Sequence, residues 1–228
     1  MSIKQKNNHL KKFVTEKRFE TFNRVLNHRT RYISVVLEDI FQTHNASAVL
    51  RSCDCFGIQD VHMIENRNEF NANPEIALGS YQWLSTYRHN SLKNNSLSTI
   101  SYLKQRNYRI VATTPHTNDC ALENLDLNKG KIALFFGSEQ PGLSDIVMQN
   151  ADEFVTIPMQ GFTESFNISV SAAICLYDIS NRLRKSEINW QLQQDEKDEI
   201  MFEWLKSRIK DSTNILKRFS ESNLNANL

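Results

Sequence analysis

The residues best placed to do chemistry gather at two loops and one helix start. Gly137 follows the apolar run Ile132-Ala-Leu-Phe-Phe136 and opens the loop Gly-Ser-Glu-Gln-Pro-Gly-Leu. Gly161 closes the segment Ile-Pro-Met-Gln-Gly, which follows Phe154-Val-Thr. Both glycines lie where a parallel strand would give way to a loop, and that is where α/β sheets form ligand sites. Immediately beyond, Ser165-Phe-Asn-Ile-Ser-Val begins a helical pattern with a polar first turn. Ser165 or Asn167 can cap it, and its free N–H groups can bind a ligand. Singly, each feature is an ordinary turn or cap; their succession is what points to a site.

Several chemistries lack their signatures. The sequence holds neither GxGxxG nor GxxxxGK[ST], which argues against a dehydrogenase, a P-loop NTPase and the usual Rossmann-type methyltransferase. The GxSxG elbow of many hydrolases is also missing. Cys53, Cys55, Cys120 and Cys175 form no CxxC and no zinc-spaced cluster with histidine, so no metal is expected; Cys53 and Cys55, in an apolar stretch, read as buried free thiols. Free thiols imply a reducing, cytoplasmic compartment.

The elements that position these residues follow from periodicity. Ile33–Leu37, Val61–Ile64, Arg109–Thr113, Ile132–Phe136 and Phe154–Ile157 read as strands, the fourth apolar enough for the centre of a parallel sheet. Helices are expected over 10–28, 44–56 with Gly57 as its stop, 96–106 capped by Ser96 or Ser98, 142–150, 167–184 and 195–210. Residues 66–80 read as a loop with one helical turn. Alternating strands and helices give an α/β parallel sheet. The chain has 228 residues, 40% hydrophobic and 23% charged, which fits one soluble domain with appendages. No run approaches the roughly 20 apolar residues of a membrane span, and the basic N-terminus has no apolar stretch behind it to make a secretory signal. Net charge is only +1. The first 31 residues are nonetheless basic, with Lys4, Lys6, Lys11, Lys12, Lys17, Arg18, Arg24, Arg29 and Arg31 against Glu16 and Glu20. Such an end suits a phosphate-rich partner, or else is a solvated helix face.

Together the motifs resemble the SpoU branch of the SPOUT methyltransferases. Three blocks carry the resemblance, in order: His44-Asn-Ala-Ser-Ala-Val-Leu-Arg-Ser-Cys-Asp-Cys-Phe-Gly57, Leu134-Phe-Phe-Gly-Ser-Glu-Gln-Pro-Gly-Leu143, and Ile157-Pro-Met-Gln-Gly-Phe-Thr-Glu-Ser-Phe-Asn-Ile-Ser-Val-Ser-Ala-Ala-Ile174. The basic leader and the tail around Trp204 resemble, less specifically, the flanking helices of the TrmH subgroup, which methylates the D-loop guanosine of tRNA.

The resemblance implies a catalytic domain over 31–185 whose segment 134–185 ties a deep trefoil knot, an exception to unknotted connectivity. A helical extension (1–30) and a helical tail (186–228) would flank it. It implies S-adenosyl-L-methionine as cofactor, held by Thr113, Gly137, Ile157, Met159 and Phe166; Phe166 stands where leucine is usual. Arg51 would act on a ribose 2'-hydroxyl, either as base or by stabilising the developing alkoxide. Asn45 would support Arg51 and the RNA, while Glu139, Ser165 and Asn167 shape the site. His44 reads as a cap or structural residue. A homodimer is implied, and the apolar face of helix 167–184 fits an interface or a core equally well.

The expected function is therefore 2'-O-methylation of RNA, first of the tRNA D-loop guanosine. Ribosomal RNA or another tRNA nucleotide is the alternative within that chemistry, and a non-catalytic RNA-binding protein the alternative outside it. The flanks favour tRNA, because about 30 residues are too few for a separate RNA-binding domain.

Overall fold

The computed structural model of the protein describes residues 2–70, 79–115 and 120–225, and they fall into two compact units, 30–190 and 1–29 with 191–228. The larger unit is built on six parallel strands: β1 (Ile33–Glu38), β2 (Asp60–Ile64), β3 (Ser85–His89), β4 (Tyr108–Thr113), β5 (Lys131–Phe136) and β6 (Glu153–Val155). Their order across the sheet is β3-β2-β1-β5-β4-β6. Parallel strands need crossovers, and α3 (Thr43–Phe56), α4 (Asn95–Lys104), α5 (Asp145–Asn150) and α6 (Ile168–Lys185) accompany them.

β1 and β5 are buried along their length because both faces of these central strands are covered; Ile132–Phe136 is wholly apolar, and β1 is apolar but for the buried Ser34 and Glu38. Ile33, Val35 and Leu37 join Ile132, Leu134 and Phe136 in the core that also holds Val49, Leu50, Ala172 and Leu176. Val36, Ala133 and Phe135 turn to the opposite core, with Ile100, Leu103 and Val147. The period-2 alternation of side chains thus feeds two cores from one sheet.

Five strands match the sequence expectation within a few residues. The sixth, β3, does not show as a strand pattern: Ser85-Thr-Tyr-Arg-His is polar, as an edge strand with alternating half-buried and exposed residues permits. Gly57 ends α3 in the left-handed conformation, φ 75°. The cap of α4 is Asn94, not Ser96 or Ser98. Ser96 is fully buried and donates to Glu38 instead. Of the loop expected over 66–80, residues 71–78 lie outside the described residues, and Ser80–Trp83 form one 3-10 turn.

The smaller unit joins the leader to the tail. It comprises α1 (Ile3–Leu10), α2 (Glu16–Leu26), α7 (Gln194–Arg208) and α8 (Ser212–Asn225). The single helix expected over 10–28 is broken by Lys11–Phe13, and Thr15 caps a fresh start by accepting from Arg18 N. Phe22 meets Trp204 edge-on at 5.6 Å, Arg29 lies over the same indole, and Asn7 donates to the Asp198 carbonyl. Arg29 is 1% exposed, so the leader's charge is not all surface charge. Arg31, in the larger unit, pairs with Asp60 at 3.2 Å. Among the described residues no helix is long and apolar enough to cross a membrane.

Connections diverge at the centre of the sheet. From β1 the chain moves outward to β2 and β3; from β5 it moves the other way, to β6. The crevice between their carboxyl ends is therefore a switch point, where such sheets bind ligands. A buried carboxylate ends β1 at this switch point. Glu38, 2% exposed, accepts from Ser144 N at 2.8 Å, Ser144 Oγ at 2.7 Å and Ser96 Oγ. Asp39 follows with φ 51°, and its Oδ1 accepts from the backbone of Asn66 and Arg67 at 2.7 and 2.8 Å. The loop leaving β5 folds back so tightly that a Cβ on Gly137 would sit 2.2 Å from the Gly142 carbonyl carbon.

Two outcomes follow from this packing. Gly137→Ala forces backbone against backbone and lowers stability by about 1–3 kcal/mol. Gly161→Ala, with nothing within 4 Å of the added Cβ, is the control; equal melting temperatures for the two variants would refute the close approach. The second concerns His62, whose Nδ1 lies 3.0 Å from His89 Nε2 and whose ring stacks on Tyr87. Burial, then His89 and Arg106, hold its pKa down to about 3. The unfolded chain takes up that proton near pH 6.5, so this contribution is whole above pH 6.5. It is lost as pH falls toward 3, at up to about 1.4 kcal/mol per pH unit. His62→Phe should flatten the acid limb of the urea-midpoint profile over that window, and an unchanged limb would assign the loss elsewhere.

Candidate active site

Two adjoining cavities occupy the carboxyl edge of the sheet. The first, of about 450 Å³, lies among the ends of β4, β5 and β6 and the start of α6. Thr113, Gly137, Glu139, Ile157, Met159, Ser165 and Phe166 all line it, so seven of the residues expected from sequence meet there. The second, of about 740 Å³, opens at the switch point between the ends of β1 and β5. Asn45 and Asn167 line it, and Glu139, Ser165 and Phe166 are shared with the first, so the two cavities have a common wall.

That wall is held by three side chains far apart in sequence. Glu139 Oε1 accepts from Asn45 Nδ2 at 2.9 Å and from Asn167 Nδ2 at 2.6 Å, while Asn167 Nδ2 also donates to Asn45 Oδ1 at 3.0 Å. Asn167 is at the same time the cap of α6, its Oδ1 accepting from Ser169 N at 2.9 Å and Ser169 Oγ at 2.6 Å. The cap needs the oxygen and the network needs the nitrogen, so the amide has one orientation. Asn45 comes from the first turn of α3. The positive ends of α3 and α6 therefore both sit at the second cavity, where negative charge on a substrate is stabilised. Ser165 is the alternative cap for α6 in the sequence, and the structure gives that role to Asn167.

Arg51 is not part of this constellation. It lies six residues beyond Asn45 on α3, about 9 Å along the axis and on another side of the helix. It is exposed, lines neither cavity, and makes no hydrogen bond or ion pair to another described residue. His44 is exposed beside Asn45 and does not cap α3, whose cap position is Gln42. Thr113 donates its hydroxyl to the Phe135 carbonyl at 2.8 Å, which ties β4 to β5 and leaves only lone pairs for a ligand.

The first cavity suits a nucleoside-sized group of mixed polarity. Its walls combine Met148, Val155, Ile157, Met159 and Phe166 with backbone polar groups from two loops. Among the described residues, no backbone–backbone hydrogen bond uses Gly137–Leu143, Ile157, Met159 or Glu164–Phe166, all of which line the cavity, so backbone polar groups there are available to a ligand. Cys175 closes the floor; burial, then Asp178, pushes its thiol up to about 12, so it is a neutral apolar surface and not a nucleophile. Two arginines brace α6 behind it. Arg182 donates to the Leu122 and Leu125 carbonyls at 2.8 and 2.7 Å, and Arg184 to the last carbonyl of α3, Phe56, at 2.7 Å.

Sequence reasoning missed Phe41, Gln42 and Asn68, which line the second cavity, and the Glu38–Asp39 pair that leads into it from β1. An acidic pair directly after the buried run Ile33–Leu37 was the available signal, since a charge there must be satisfied by neighbours.

Known proteins share the sequence and the fold of this chain. Residues 32–177 match the SpoU rRNA Methylase family. The tRNA (guanosine(18)-2'-O)-methyltransferase of Borreliella burgdorferi is 43% identical over 202 residues, covering 89% of this chain and 90% of that protein. Among solved structures, the TrmH/SpoU tRNA modifying enzyme of A. aeolicus superposes with a TM-score of 0.75 at 26% identity, covering 86% of this chain and 98% of that one. The SpoU methyltransferase AviRb from Streptomyces viridochromogenes, solved in complex with AdoMet, shares the fold at a TM-score of 0.59 and 23% identity, over 72% of this chain and 62% of that one. The family match takes in all six strands and the lining of both cavities, and the chain belongs to the SpoU rRNA Methylase family.

Proposed function

We propose that the protein transfers a methyl group from S-adenosyl-L-methionine to the ribose 2'-hydroxyl of guanosine 18 in the D-loop of tRNA, in the cytoplasm. The observation that carries this reading is the pair of cavities divided by Asn45, Glu139 and Asn167, which seats a methyl donor on one side and an acceptor ribose on the other. The Borreliella burgdorferi relative supports the tRNA substrate, because the 89% of this chain that it matches reaches beyond the catalytic domain into the flanking helices.

The donor cavity fits S-adenosyl-L-methionine. Ile157, Met159 and Phe166 supply apolar walls, and the unused backbone groups at Gly137–Leu143, Ile157, Met159 and Glu164–Phe166 supply donors and acceptors for adenine, ribose and carboxylate. When bound, the cofactor provides an electrophilic methyl group. The chain's own residues then orient the acceptor and handle its proton. Glu139 keeps Oε2 free of any described partner, so it can accept from a ribose hydroxyl while Oε1 stays tied to the two asparagines. Arg51 is assigned to the 2'-hydroxyl, as base or as the cation that stabilises the alkoxide. Its exposed position means that RNA, or a second copy of the chain, completes the contact.

A homodimer and a deep trefoil knot over 134–185 belong to the same reading. Val170 and Tyr177, seven residues apart on α6, are 43% and 62% exposed, an apolar strip that a second copy would cover. The unit 1–29 with 191–228 is assigned to tRNA binding through Lys4, Lys11, Lys12, Lys17, Arg18 and Arg24, all exposed.

Labelled S-adenosyl-L-methionine offered with unmodified tRNA and, separately, ribosomal RNA tests the substrate. Label confined to guanosine 18 of tRNA is expected; label only in ribosomal RNA would overturn the assignment. Arg51→Ala should lose roughly a hundredfold or more in turnover while binding the cofactor normally, and near-normal turnover would remove Arg51 from the chemistry. Because α1 packs on α7, the leader is tested by charge removal and not by truncation. Lys12→Ala with Arg18→Ala should lower the slope of log affinity against log salt by roughly one for each phosphate no longer neutralised. An unchanged slope would make the leader structural only.

A further inference from the structure

The second cavity has features that methyl transfer to a ribose does not by itself require. Asp39 adopts a positive φ at the end of β1, and the next two residues part company: Ile40 turns into the core, 8% exposed, and Phe41 turns out, 78% exposed. A phenyl ring so exposed, on the wall of a cavity of about 740 Å³, has no ring contact among the described residues. Beside it stand two amides whose hydrogen bonds fix their orientation. Gln42 Oε1 accepts from Asn45 Nδ2 at 3.0 Å, which leaves the Gln42 N–H groups free. Asn68 Nδ2 donates to the Asp39 carbonyl at 2.9 Å, which leaves Asn68 Oδ1 free as an acceptor. One aromatic face, one free donor and one free acceptor thus line the cavity that also seats the acceptor ribose.

We infer that this cavity holds the target nucleobase itself, unstacked from the RNA, with its ring on Phe41 and its edge read by Gln42 and Asn68. The inference rests on the methyl-transfer reading and names how that site chooses its base. Single-stranded RNA is recognised by splaying bases onto aromatic side chains and bonding their edges. Guanine complements the two amides: O6 accepts from the Gln42 amide, and the 2-amino group donates to Asn68 Oδ1. The Gln42–Asn45 hydrogen bond joins base reading to the Asn45–Glu139–Asn167 wall, so a correctly seated base also sets the ribose against the donor cavity. Phe41, Gln42 and Asn68 are specificity and positioning residues on this view.

The test uses full-length protein and tRNA transcripts carrying guanosine or inosine, which lacks the 2-amino group, at the methylated position. Phe41→Ala should lower kcat/KM roughly ten- to a hundredfold for both transcripts, as removal of one base stack does. Phe41→Trp should restore most of it, and cofactor affinity should stay at the wild-type value in both. Asn68→Leu should bring the guanosine-to-inosine ratio of kcat/KM close to one, whereas the wild type favours guanosine. A Phe41→Ala enzyme with wild-type kcat/KM, or an Asn68→Leu enzyme that keeps the wild-type ratio, would overturn the inference while leaving methyl transfer intact. A wild-type protein that methylates no tRNA would instead overturn the reading on which it rests.

Discussion

The carboxylate of Glu38 is the constraint on which the rest of the site depends. It ends the central strand of a doubly covered sheet, at 2% exposure, where an unsatisfied charge would be costly. Ser144 meets it with both backbone N–H and hydroxyl, and Ser96 with a third donor. Ser144 is also the cap of α5 and terminates the loop that leaves β5. One buried charge therefore fixes where that loop must end, and Gly137 fixes how sharply it must begin. Between those two points the backbone has little choice, and Glu139 is delivered to Asn45 and Asn167.

Much of this architecture is legible in the chain. β1 and β5 stand out because burial on both faces makes their runs mostly apolar, and Gly57 marks the end of α3 because only a left-handed residue closes it without strain. β3 escapes notice for the opposite reason: as an edge strand it alternates half-buried with exposed positions and needs no apolar run. Arg29 reads as one more surface cation, yet it is buried over Trp204, near the other end of the chain. No local pattern reveals such a pairing. The division of helix 10–28 is a milder case, since Thr15 and Glu16 form a fresh N-terminus inside a stretch that is amphipathic throughout.

The site shows the same limit. Its residues were recognisable as blocks, but not which of them touch. Asn45 and Asn167 are joined through Glu139, across separations that periodicity cannot bridge. Arg51 belongs to the first block in sequence and lies outside both cavities in space. The residues around Phe41 carry no sequence signal because they precede the recognisable block and look like connecting loop. Their significance comes from a backbone turn at Asp39, which sends one apolar side chain inward and the next one out.

Asn167 carries a consequence for what this position can tolerate. Its oxygen caps α6 and its nitrogen reaches Glu139 and Asn45. Serine, threonine and aspartate cap helices about as well as asparagine does. Aspartate, however, would set a second carboxylate against Glu139, and the two hydroxyl residues are too short to span both partners. Substitutions that a helix alone would accept are closed off by the neighbouring chemistry. Selection for a stable α6 and selection for a working site thus fall on the same amide, and neither can drift without the other.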